Sequence, residues 1–120
     1  MLEKLVDLVS VDWNKVIANF HCPPYGTRID LAPKLDKNLK PVYFLGKPEF
    51  IHVGSKSIRK FIEKRQPLLG LHGHIHESAG YDNIKKTIVF NPGSEYQLGI
   101  FKAIIIDLSE KGIEKWFKLG

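Results

Sequence analysis

A chain of 120 residues, 43% hydrophobic and 26% charged, is long enough for one hydrophobic core and too short for two. Its apolar runs are too short to cross a bilayer, and the start MLEKLVDLVS lacks a basic-then-apolar signal pattern, so the expectation is one cytoplasmic domain with no membrane partner. The lone cysteine, Cys22, excludes an internal disulfide. The net charge of +5 is carried by lysines scattered among carboxylates, a pattern of solvated surface that ranks nucleic acid last among partners.

Taken in chain order, Leu2, Leu5, Val6 and Val9 fall at i, i+3, i+4 and i+7, which predicts a short amphipathic helix over the first ten residues. The apolar run VIANFH, Val16 to His21, predicts a buried strand stopped by Pro23 and Pro24. Residues 22–50 then hold five of the seven prolines, which predicts a functional or mobile loop. Within it PVYFLG reads as a short edge strand or an apolar plug. In HVGSKSIRKFIEKRQP, Ser55 is placed to cap a helix that buries Ile58, Phe61 and Ile62 and ends at Pro67, with His52 at its entrance. LLGLHGHI predicts a strand. KTIVFN predicts another, entered through a GYDN turn and ended by NPGS, and FKAIIID with IEKWFK predicts a hairpin joined by LSEKG. That order of elements predicts an α/β layered domain.

The chemistry concentrates in GLHGHIHES, which sets His72, His74 and His76 at alternate positions. On a regular strand His74 and His76 would share a face, and neutral imidazoles there can reach divalent ions at about 2.0–2.1 Å. Gly73 removes a side chain beside them and allows close approach. An isolated HxH also arises as two hydrogen-bonded histidines on a half-wet strand. The second element, NFHCPPYGT, argues for metal instead, because it places His21 at the end of another buried strand before two rigid prolines. His72 reads as a packing or supporting residue. Cys22, a sequence neighbour of His21, is expected to pack inward rather than act as a thiol nucleophile. SEYQLG lacks the GxSxG elbow of a serine hydrolase.

NFHCPPYGT with the following Ile29–Asp30, HVGSKSIRKFIEKRQPLLGLHGHIHES and NPGSEY together resemble the calcineurin-like metallophosphoesterases, most closely the small prokaryotic Icc-like phosphoesterases. The resemblance implies a four-layer α/β/β/α sandwich with a dinuclear metal site at the strand ends, loaded with manganese, iron, zinc, nickel or cobalt. It implies a phosphate ester as substrate. His21 matches the histidine of the H-x-P-P segment and His74 the first histidine of GHxH, both ligands of the second metal. His76 matches a ligand of the first metal. Asn91 to Ser94, with Gly93 among them, match the NPGS turn that supports the site from behind, and Tyr25 and Thr27 match residues lining the substrate pocket.

The chain departs from that family's pattern in lacking its DxH, GD and GNH segments, which supply the bridging aspartate and the remaining ligands. Only 20 residues precede His21. The expectation is therefore one partial domain over 1–120, the C-terminal half of the sandwich. It would hold metal weakly alone and need a complementing N-terminal fragment or a homo-oligomer. A non-catalytic interaction module of the same fold is the alternative.

Overall fold

The computed structural model describes Lys4 and residues 10–120. The apolar positions of the expected first helix, Leu2, Leu5, Val6 and Val9, lie outside the described residues. In chain order the elements are β1 (Ile17–Asn19), β2 (Leu31–Pro33), β3 (Tyr43–Phe44), β4 (Lys47–Pro48), β5 (Phe50–His52) and α1 (Lys56–Arg65). They continue with β6 (Leu69–Leu71), β7 (Gly80–Ile84), β8 (Thr87–Asn91), β9 (Ala103–Ser109) and β10 (Gly112–Leu119). The fold is mixed α/β.

The central sheet runs β1-β6-β8-β7, with the first three strands parallel and β7 antiparallel at the edge. Covered on both faces, β6 and the Ile88–Phe90 centre of β8 are apolar, as inner parallel strands usually are, with buried Thr87 and Asn91 at the two ends of β8. Val89 and Ala18 face α1, whose Phe61 and Ile62 are buried with Ile29 and Ile84, and Trp13 and Phe20 meet Phe61 edge-on at 5.7 and 5.4 Å. Phe90, the next residue along β8, points to the opposite face. There Trp116 of β10 packs against it at 5.1 Å and against Tyr81 at 4.8 Å. Helix, sheet and the β9–β10 ribbon thus form three successive layers.

Several expectations need correction. LLGLHGHI is a strand only over Leu69–Leu71, so His72 to His76 occupy the loop beyond it. GYDN is part of β7 rather than a turn: Ile84 pairs with Thr87, and the chain reverses at Lys85–Lys86. The proline-punctuated segment is more ordered than a loop. β2 pairs β5, and β3 with β4 makes a small hairpin at the far end of this arm. Its tip is no plug, since Tyr43, Phe44 and Leu45 are all exposed.

Candidate metal centre

β1 and β6 are parallel neighbours, so the loops leaving their C-terminal ends start side by side. The backbone then ties them: Phe20 N–H donates to Leu71 O at 3.1 Å and Gly73 N–H to His21 O at 2.8 Å. A β-carbon added at Gly73 would lie 3.3 Å from His21 Nδ1, so the missing side chain is the space the imidazole uses. Opposite it stands His74, its ring centroid 5.2 Å from that of His21. His74 is presented by a tight reversal, with its φ at 64° and the Ile75 N–H bonding back to Gly73 O at 2.6 Å. Such a γ-turn with positive φ is uncommon and strained in a non-glycine residue, and strain of this kind clusters at functional sites.

The spacing can be compared with metal geometry. With metal–nitrogen bonds of about 2.1 Å and ring centroids about 1.1 Å beyond the nitrogen, two imidazoles on one ion have centroids roughly 4.5–5.2 Å apart for ligand angles between square and tetrahedral. The observed 5.2 Å is at the tetrahedral end. The same separation also suits edge-to-face packing. Two exposed imidazoles fit part of a coordination sphere and do not close one: among the described residues no group of three or more His, Cys, Asp or Glu is placed to hold a metal ion.

His76 leaves the loop in another direction. Its ring packs on Tyr96 at 5.9 Å and borders a cavity of about 490 Å³ shared with Glu77, Ser94, Glu95 and Lys102, which neither His21 nor His74 lines. Behind the loop the buried Asn91 side chain donates from Nδ2 to Ile75 O at 2.9 Å and Ser78 O at 3.0 Å. Its Oδ1 accepts from Gly93 N–H at 2.9 Å. Gly93 has φ 73°, and a β-carbon there would meet Ala79 Cβ at 2.7 Å, so this turn admits only glycine without rearrangement.

His72 turns inward. Its Nδ1–H donates to Phe20 O at 2.9 Å and Cys22 O at 3.2 Å, which welds the H-C-P-P segment to the loop, while Nε2 is buried without a hydrogen-bond partner. Burial lowers the His72 pKa below its ordinary value and outweighs the two carbonyl bonds. Cys22 is half-buried, its thiol against Pro23 O at 3.6 Å. Of the two expected substrate-pocket residues, Tyr25 is exposed, but Thr27 is buried and its hydroxyl donates to Pro24 O at 2.9 Å, so Thr27 shapes the turn instead.

Sequence reasoning passed over two buried polar residues. Asp30 accepts from the N–H groups of Gly26, Thr27 and Gly54 at 3.0–3.1 Å and from His52 Nδ1 at 2.6 Å. Ser78 joins the histidine loop to the first loop by accepting from Leu31 N–H and donating to Arg28 O. The only available signal for Asp30 was a carboxylate ending the glycine-bearing turn GTRID, where such residues commonly bracket backbone N–H groups.

No family model matches the chain. An uncharacterized protein of Methanocaldococcus jannaschii is 41% identical over 91 residues, 74% of this chain and 35% of its own length. The chain therefore spans about a third of the curated relative it matches. A chain in a solved crystal structure superimposes with a TM-score of 0.58 at 23% identity, over 99% of this chain and 38% of that one. At that identity the likeness carries the fold alone.

Proposed function

We propose that this chain is the histidine-bearing C-terminal half of a calcineurin-like metallophosphoesterase domain, hydrolysing phosphate esters once a complementing half is present. The observation that carries this reading is the pair of facing imidazoles, His21 and His74, at the ends of two hydrogen-bonded parallel strands. Its context supports the same reading: GHxH, H-x-P-P and NPGS lie on three loops gathered at one end of the sheet. On this reading the helix, sheet and ribbon layers would form one side of an α/β/β/α sandwich. His21 and His74 would bind one divalent ion, and His76 would serve a second. Gly73 keeps the first imidazole close, and Asn91 holds the loop carbonyls that aim His74. Bound divalent ions supply Lewis acidity toward a phosphoryl oxygen and a water of lowered pKa. The hard carboxylate ligands that set two ions close together would come from the other half.

Titrating the full chain with Zn²⁺ by calorimetry tests the ligand assignment. Single-site binding is expected, weakened at least roughly ten-fold by His21→Ala and by His74→Ala and unchanged by His52→Ala. Completeness is tested by mixing the chain with the unmatched portion of the M. jannaschii relative and Mn²⁺. Hydrolysis of bis-p-nitrophenyl phosphate should appear; activity no greater than that of either piece alone overturns the complementation. The second reading, a non-catalytic interaction module, is favoured by the lack of a three-ligand group among the described residues. Zn²⁺ binding that depends on His21 and His74 separates the two, since only the first requires it.

A further inference from the structure

A second polar constellation lies outside the histidine pair. His52 ends β5 opposite Leu31 of β2, and the Val53 N–H bonds to Asp30 O at 3.0 Å, so the strand end is fixed against the turn that carries Asp30. The Asp30 carboxylate is wholly buried, and both of its oxygens already accept from backbone N–H groups. It therefore offers only acceptors to His52, whose Nδ1 must carry the proton across the 2.6 Å bond. That bond ties the ring through Nδ1, while Nε2 makes no hydrogen bond among the described residues on a side chain that is 42% exposed. Closing the turn accounts for Asp30 but not for an imidazole added to it.

The surroundings of His52 suit an anion. Tyr25 packs its ring on His52 at 5.7 Å, and the Lys56 ammonium sits 5.1 Å over the same ring. Arg59 pins this tyrosine by donating to the carbonyls of Tyr25 and Gly26. Among the described residues Lys56 has no carboxylate partner, so only the Tyr25 ring and solvent offset its charge beside His52.

We propose that His52, oriented by Asp30, and Lys56 form an anion-binding site for a phosphoryl group, with Tyr25 as its floor. Nε2 donates to a phosphoryl oxygen as imidazolium or accepts from a P–OH when neutral, and the ammonium neutralises a second oxygen. The choice of phosphoryl over other anions rests on the phosphoesterase reading, whereas the existence of the site does not. On that reading it would seat a second phosphate of the substrate, one that is not attacked.

The test is a histidine side-chain ¹H–¹⁵N titration of the full chain in EDTA, with inorganic phosphate, phenyl phosphate and acetate in turn. Because no metal is present, its outcome is independent of the metal-ligand assignment. Saturable movement of the His52 ring resonances is expected with both phosphates and not with acetate. His52→Ala and Lys56→Ala, both at exposed positions and expected to fold, should each weaken binding about five-fold or more. Asp30→Asn should weaken it without touching the anion, and if that variant fails to fold the other two still decide. No saturable shift at His52 by tens of millimolar phosphate overturns the site, as do equal shifts with acetate or unaltered affinity in both alanine variants.

Discussion

At the scale of single residues, the histidine loop depends on what glycine omits. A β-carbon at Gly70 would come within 2.6 Å of His72 Nε2 and 3.0 Å of Val89 Cγ1. Gly70→Ala should therefore destabilise by about 1–3 kcal/mol in urea denaturation, as over-packing does. Asn91→Leu leaves the carbonyls of Ile75 and Ser78 unpaired in the interior, and a loss of about 1–3 kcal/mol is expected. His72 gives a pH signature. Its folded-state pKa is lowered by burial, so below about pH 6.5 the unfolded chain takes up a proton that the folded chain resists. Stability is full above that value and falls as the pH drops through it toward the folded pKa. Thermal melts in EDTA at neutral pH and near pH 5.5 should show this loss, and His72→Gln should flatten the dependence. The GHxH spacing made the histidines legible as a set. Which of them faces solvent was not legible, because alternation assumes a regular strand and the chain leaves β6 at Leu71 and reverses at His74.

Among the elements, α1 was the most legible because its signals are local. Ser55 Oγ accepts from Ile58 N–H at 3.2 Å, and Ser55→Ala should cost about 1 kcal/mol, read from chemical denaturation. The other end of α1 shows what sequence hides. Gln66 takes the left-handed position usually given to glycine, with φ 50°. Its side chain offsets the strain by donating to Ile62 O and Ile84 O and accepting from Lys86 N–H, which fastens the helix to the β7–β8 turn. That turn carries no glycine at all: Lys85 adopts φ 54°. The glycine, aspartate and asparagine that signal a turn are spent instead inside the edge strand β7, where Asp82 accepts from the Arg28 N–H at 3.0 Å. Lys85→Gly should stabilise by about 0.5–1 kcal/mol, measured by the same denaturation, because it removes the Cβ penalty without losing a buried contact.

For the molecule as a whole, the mixed α/β class followed from the order of apolar runs, while shape did not. A compact chain of this length has a radius of gyration of about 14 Å, whereas this one has 16.0 Å and extents of 49 × 32 × 23 Å. Part of the excess is the arm of residues 31–52, whose pairing is set by contacts too short and too local to leave a periodic pattern. Elsewhere Tyr96, Leu98 and Phe101 are each at least 66% exposed, and Ile105 and Phe117 of the β9–β10 ribbon are uncovered as well. So much apolar surface favours association, and sedimentation at rising concentration should show a dimer or larger species; a clean monomer at the highest concentration contradicts this. The arm also carries a consequence for digestion. Lys40, before the tip, and Lys47, the first residue of β4, are each followed by proline, Lys40–Pro41 and Lys47–Pro48, and trypsin cuts such bonds poorly. Chymotrypsin meets no such barrier at Tyr43, Phe44 and Leu45, which stand in the open. Brief digestion of the intact fold should therefore nick the tip with chymotrypsin and spare it with trypsin, since exposed tips are where proteases find the backbone first.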